Sequence, residues 1–182
     1  FSLILIFAIG LTILFSIFAP KLLILFGASD ATLPYAVEYA RIYIFGSIFV
    51  LIVLGMNLFI TTQGFSKISM MTTLIGAVIN VILDPIFIFV FHLGVQGAAL
   101  ATIISQGISC IWVLKFLTGN KTHIKIRIKN LRLSKQIVFL VISLGISPFV
   151  MQSTDCFIQL VFNNGMLKYG NDSYVALMSI LF

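Results

Sequence analysis

ISMMTTLIGAVINVILDPIFIFVF, residues Ile68 to Phe91, carries a single charged residue, Asp84, with Asn80 four residues before it and Pro85 directly after it. A helix crosses the hydrocarbon core of a bilayer in roughly 20 mostly apolar residues, and this run is long enough. Lipid offers no water to unpaired backbone N–H and C=O groups, so only helices and closed barrels span it. The run lacks the strict two-residue alternation of a barrel strand and therefore reads as a helix. On a helix, Asn80 and Asp84 share one face, one turn from each other. Pro85 has no N–H for the Val81 carbonyl and disfavours helical geometry at Asp84. A carboxylate, an amide oxygen and a freed carbonyl are thereby gathered at mid-membrane. Insertion scales put a central Asp at roughly 2.5 to 3.5 kcal/mol, which a leucine would avoid. These residues point to binding of a proton or a small cation such as Na⁺, with Pro85 kinking the helix. The competing reading is an Asp84 held protonated or hydrogen-bonded, closing a helix contact around the kink.

Working outward, the same kind of run recurs. The chain has 182 residues, 60% of them hydrophobic and 9% charged, and its mean hydropathy is +1.18. An ordinary soluble domain is about half apolar and about a quarter charged. Apolar runs at about 3–26, 37–60, 68–91, 96–117 and 136–162 read as complete spans, with a sixth beginning near 173. The fold class is all-α, a polytopic transmembrane helix bundle. The chain opens on Phe1 with no basic region before the first run, so no cleavable signal peptide is expected. It stops inside the apolar SYVALMSILF, and both ends read as those of a fragment.

Short connections carry local signals. Ser29 or Asp30 can cap the second helix near Pro34, and Glu38 and Arg41, three apart, can pair on its first turns. Gly64 reads as a helix terminator and Lys67 as an interfacial anchor. In the fourth span Gly97, Ala101 and Ser105 recur every four residues, a stripe that lets helix backbones approach in lipid. Thr102 stands apart from that stripe.

Formal net charge is +6, and its distribution sets the topology. Lys115, Lys121, Lys125, Arg127, Lys129, Arg132 and Lys135 lie in or beside one connection, and Lys67 lies in another on the same side. By the positive-inside rule that side is cytoplasmic, with Gly94 and Lys168 outside. Anionic lipid headgroups would attract the HIKIRIK segment, whether it is a strand or lies along the surface. Direct flanking by spans argues against a nucleic-acid partner for this basic run. Cys110 and Cys156 read as small apolar fillers. His92 and His123 have no partner at ligand spacing, so no metal centre is expected beyond Na⁺ at Asp84 and Asn80. No GxxxxGK loop is present, no catalytic cluster stands out, and no cofactor is expected; the chain does not read as an enzyme.

Away from the span ends, the other acid is Asp155. Pro148, Gln152, Asp155, Gln159 and Asn163 fall along a single helix face. Such a stripe should avoid lipid, either packing through interhelical amide bonds or lining a cavity where Asp155, Gln152 and Gln159 meet a cationic substrate.

TTQGFSKISM, GAVINVILDPIFIF, GVQGAALATIISQ and GISPFVMQSTDCFIQ, in that order, resemble the multidrug and toxic compound extrusion (MATE) family over essentially the whole chain. The resemblance implies a fragment of a twelve-helix, two-lobe transporter, covering helices three to seven and the start of eight. Residues 1–117 would be four helices of the N-terminal lobe, 118–135 the basic cytoplasmic loop joining the lobes, and 136–182 the start of the C-terminal lobe. It implies a cation site in which Asn80 and Asp84 are joined by Thr102, alongside an acid on helix one, a helix that the resemblance does not cover. It further implies an antiporter in a bacterial plasma membrane, monomeric as the full-length protein, exporting organic and especially cationic small molecules in exchange for H⁺ or Na⁺. A flippase for lipid-linked saccharides in the same superfamily is the alternative. That reading needs mid-span Lys or Arg to meet pyrophosphate, and the spans hold none.

Overall fold

A computed structural model describes residues 1–26, 28, 29, 32–119, 122, 125 and 134–169. Its helices are α1 (Ser2–Leu25), α2 (Leu33–Thr62), α3 (Ser66–Pro85), α4 (Gly94–Thr118) and α5 (Lys135–Tyr169), with a π-helical turn at Ile86–Val90 continuing α3. Five stretches are long and apolar enough to cross a membrane: Ser2–Leu25, Leu33–Thr62, Ser66–Val90, Gly94–Thr118 and Lys135–Met166. The five complete spans read from the sequence are therefore present, and among the described residues there is no strand. The sixth span and most of the basic connection lie outside the described residues.

The chain divides into two compact units. The first comprises Phe1–Ile17 and Glu38–Leu133. Its core is built from Ile52, Val53, Met56 and Ile60 of α2 with Cys110, Val113 and Leu117 of α4. Cys110 is 3% exposed and serves there as a small apolar filler. Thr12 of α1 and Ser47 of α2 lie 3.1 Å apart, oxygen to oxygen, while each donates to a carbonyl of its own helix or shares its hydrogen with the other. The second unit comprises Phe18–Val37 and Ser134–Phe182. In it the Asn164 amide donates at 2.9 Å to the Leu25 carbonyl, one of the acceptors left open at the C-terminal end of α1. No residue in the spanning stretch of α5 is buried, and Cys156 is exposed rather than packed as filler.

The turns follow their chemistry. The Thr32 N–H donates to Ser29 Oγ at 3.3 Å and the Ser29 N–H to Thr32 Oγ1 at 3.0 Å, a reciprocal cap ahead of Leu33. Gly64 adopts φ +87° after α2, where the Phe65 N–H reaches back to the Ile60 carbonyl at 3.2 Å. That left-handed position suits glycine. Glu38 and Arg41 are both exposed and, among the described residues, form no ion pair, contrary to the pairing their spacing allows. An exposed pair gains little against the side-chain entropy it loses.

The small-residue stripe of α4 packs as expected. Gly97, Ala101, Ser105 and, one turn further, Ser109 are all buried. Gly97 is the tightest point, because a Cβ there would stand 2.8 Å from the Phe87 carbonyl oxygen, a backbone atom that cannot rotate away. Gly107 on the same helix has nothing within 4 Å. We expect Gly97→Ala to cost about 1 to 3 kcal/mol through overpacking, whereas Gly107→Ala is neutral or mildly stabilising. Unfolding midpoints of the two variants in detergent separate these outcomes, and equal midpoints would remove the close contact.

Candidate functional site

α3 and α4 pack along their lengths and bring the polar residues of the opening stretch to one place. The Asn80 Nδ2 donates to Asp84 Oδ1 at 3.2 Å within α3. The same nitrogen stands 3.5 Å from Thr102 Oγ1 across the helix pair. Thr102 spends its hydroxyl hydrogen on the Ala98 carbonyl at 2.9 Å, so toward Asn80 it presents lone pairs. All three side chains are half-buried. Asn80, Asp84 and Thr102, grouped from the sequence, thus lie within hydrogen-bonding reach in a chain: carboxylate, amide, hydroxyl.

Pro85 shapes this cluster in a way its sequence context did not reveal. A proline inside a helix usually produces a kink, with a donor missing one turn back. Here α3 ends at Pro85, the Ile86 N–H turns to the Leu83 carbonyl, and the backbone continues as a π turn. The Phe91 N–H then bonds the Ile86 carbonyl at 3.0 Å and the Leu93 N–H the Phe87 carbonyl at 3.1 Å. Wide turns of this kind occur disproportionately at functional sites. The helix stays continuous through the apolar layer, yet its hydrogen-bond register changes one residue after Asp84. His92 completes the connection to α4 with φ +52°, a left-handed conformation that histidine tolerates better than branched residues do.

Chemically, the cluster offers one exchangeable charge and two neutral groups. The Asn80 amide can present its oxygen instead of its nitrogen by a half-turn about its terminal bond, giving oxygen ligands of the type that hard cations take. Protonation of the carboxylate would instead turn one of its two acceptor oxygens into a donor.

A second polar group lies in the unit that contains α5. Gln152, Asp155 and Gln159, with Ile158, line a cavity of 280 Å³. All three polar side chains are exposed, and among the described residues none hydrogen-bonds the Asp155 carboxylate. Asn163 and Pro148 of the same sequence stripe do not line this cavity.

Several polar residues escaped the sequence reading, Asn57 among them. Asn57 lies in the apolar second half of α2, and its Oδ1 is buried without a hydrogen-bond partner among the described residues. It lines a 120 Å³ cavity with Thr72, Thr73, Gly76, Gln106 and Ser109. Asn57 has no polar neighbour at helical spacing on its own helix except Thr61, whose hydroxyl donates to the Asn57 carbonyl; only the packing of α2 against α3 and α4 shows the relation.

Comparison with known proteins places this geometry in a family. The MatE family model matches residues 1–86. The multidrug export protein MepA of Staphylococcus aureus is 30% identical over 154 residues, covering 85% of this chain and 34% of that protein. Its namesake from Staphylococcus haemolyticus is 33% identical over 144 residues, covering 79% and 32%. An inward-facing multidrug resistance MATE transporter of the MOP superfamily superposes with a TM-score of 0.88 at 25% identity, covering 97% of this chain and 40% of that one. The MATE multidrug transporter DinF-BH gives a TM-score of 0.88 at 30% identity, covering 97% and 41%. The chain spans about a third of the length of the curated relatives it matches. Bacterial exporters as relatives, together with five apolar helices, make it a multi-pass protein of the plasma membrane. Family model, curated relatives and solved structures converge by separate routes, and the chain belongs to the MATE family.

Proposed function

We propose that the chain works as part of a secondary antiporter that exports organic, especially cationic, small molecules in exchange for inward H⁺ or Na⁺. In this reading residues 1–117 contribute four helices to an N-terminal lobe, 118–135 form the cytoplasmic connection, and 136–182 begin a C-terminal lobe. Asp84 is the exchanging carboxylate, and Asn80 and Thr102 complete its ligand set. Pro85 and the π turn behind it give that part of the helix more than one hydrogen-bond register. Asp155, with Gln152 and Gln159, meets the exported compound. No cofactor takes part, and the protein performs transport rather than catalysis.

One observation carries the reading: the Asn80 amide joins the Asp84 carboxylate to Thr102 across two packed helices, one residue before the helical register changes. An ion shifts a conformational equilibrium only by its differential affinity for the two states. A ligand set drawn from both helices gives such a difference, since any relative movement of α3 and α4 alters the Asn80 to Thr102 distance. Binding of H⁺ or Na⁺ removes the net charge of Asp84 and favours one arrangement; release to the cytoplasm restores the other. Multidrug export in the relatives' names supports a broad small-molecule substrate range.

The test is dye efflux from vesicles containing the full-length transporter that carries this chain, under a proton gradient and a sodium gradient applied separately. Export driven by one of the two gradients is expected and names the ion. Export insensitive to both, or driven only by ATP, would overturn antiport.

A further inference from the structure

Asn57, Thr72, Thr73, Gly76, Gln106 and Ser109 line a 120 Å³ cavity between α2, α3 and α4, all within the first compact unit. Five of its nine lining residues carry polar side chains, the others being Gly76 and the aliphatic Val50, Val53 and Leu54 of α2, in a chain that is 60% hydrophobic. The hydroxyl hydrogens are already committed. Thr72 donates to the Ile68 carbonyl at 3.0 Å, Thr73 to the Ser69 carbonyl at 3.4 Å, and Ser109 across the helix pair to the Thr72 carbonyl at 3.3 Å. The Asn57 Oδ1 is buried and, among the described residues, receives no donor. The cavity therefore combines hydroxyl and amide oxygen lone pairs with the N–H groups of the Asn57 and Gln106 amides. An acceptor buried without a partner is costly, and in a cavity of this size and polarity water would supply the missing donors.

Its position gives the cavity a role. Thr73 precedes Asn80 by seven residues, two turns along one face of α3, and Gln106 follows Thr102 by four, one turn along α4. Both displacements run the same way, because α3 and α4 are antiparallel neighbours. The cavity thus continues the Asp84, Asn80 and Thr102 cluster by about 10 Å toward the end of α3 that carries Lys67. By the positive-inside rule that end faces the cytoplasm. Gly76 lies between the two polar groups, and a Cβ there would stand 2.6 Å from Ser109 Oγ.

We propose that this cavity is a hydrated transit station for the coupling cation, H⁺ or Na⁺, between Asp84 and the cytoplasm. Neutral oxygens and water replace part of the ion's hydration without holding it as a carboxylate would, which suits passage rather than storage. Asn57 and Gln106 are the polar groups whose loss would dry it. This inference rests on Asp84 being the exchanging group, so its test separates the two.

In the full-length transporter, replace both residues by near-isosteric apolar ones, Asn57→Leu with Gln106→Leu. Measure ion exchange at Asp84 from the cytoplasmic side in inside-out vesicles, and ion affinity at equilibrium. We expect cytoplasmic exchange to slow by about tenfold or more, since a charge must then cross an apolar stretch, while affinity stays within about twofold of the parent. Exchange at the parental rate would overturn the station. Equal loss of affinity and exchange would also overturn it, by making the cavity part of the binding site. A second measurement does not depend on those variants folding. Thr73→Cys, in a background lacking Cys110 and Cys156, should be modified by a small hydrophilic methanethiosulfonate from the cytoplasmic side. A thiol modified only by apolar reagents means a dry cavity and refutes the proposal. Asp84→Asn run in parallel reports on the functional reading alone: ion binding unaffected by that change defeats the antiport site, whatever the thiol shows.

Discussion

Asp84→Asn in the full-length transporter is expected to abolish ion-driven export while leaving insertion and expression intact. The amide has nearly the shape of the carboxylate and can still accept from the Asn80 nitrogen that now lies 3.2 Å from Asp84 Oδ1. It cannot release a proton, and it carries no charge for a cation. Two unit charges about 4 Å apart interact by about 4 kcal/mol at the effective dielectric of a protein surface region, which corresponds to several hundredfold in ion affinity, at about 1.4 kcal/mol per factor of ten. Asn80→Ala and Thr102→Ala each remove one neutral ligand, worth about 0.5 to 1.5 kcal/mol, and should weaken coupling about tenfold or less. Dye efflux under an imposed gradient, with membrane expression as the control, distinguishes the cases. Normal gradient-driven export by the Asp84 variant would refute the assignment. Loss of the protein from the membrane would return Asp84 to a packing role around Pro85.

The second large effect is expected at Asp155, and it is selective. An exposed carboxylate without a hydrogen-bonding partner among the described residues, beside two glutamines in a 280 Å³ cavity, is free to meet a positive charge on a transported compound. Removing it should cost cationic dyes about tenfold in apparent affinity, an energy of about 1.4 kcal/mol, and neutral dyes of similar size very little. Asp155→Asn keeps the side-chain volume and the hydrogen-bonding capacity toward Gln152 and Gln159. Competition assays with a matched pair of cationic and neutral dyes read the ratio directly. Equal loss for both dyes, or none, would leave Asp155 an interhelical hydrogen-bonding residue, worth about 0.6 kcal/mol per bond in membranes.

Hydropathy alone located every span that the structure describes, because lipid forces backbone polar groups into helices and the apolar run sets their length. The helix ends were less legible. α2 begins at Leu33 rather than near 37, and α5 continues to Tyr169 past 162, since helical hydrogen bonding carries on through polar residues once the span is nucleated. Side-chain periodicity put Asn80 beside Asp84 correctly, and only the likeness to a family joined Thr102 to them. Spacing within a helix says which face a residue occupies, not which helix it meets. For the same reason Asn57 went unnoticed: its polar cavity partners lie on α3 and α4. The π turn after Pro85 was also hidden, because a proline states which donor is missing but not how the following backbone compensates. Glu38 and Arg41 show the reverse error, an allowed pairing that exposed side chains do not adopt.

Antiport by this route requires that the cluster around Asp84 bind the coupling ion. Its most direct test is ion binding by the purified full-length transporter, titrated with Na⁺ and, separately, followed by proton release, in parent and Asp84→Asn. The ion chosen by the efflux assay should bind the variant at least about tenfold more weakly, with Asn80→Ala between the two. Isotherms for parent and variant that superimpose would contradict it.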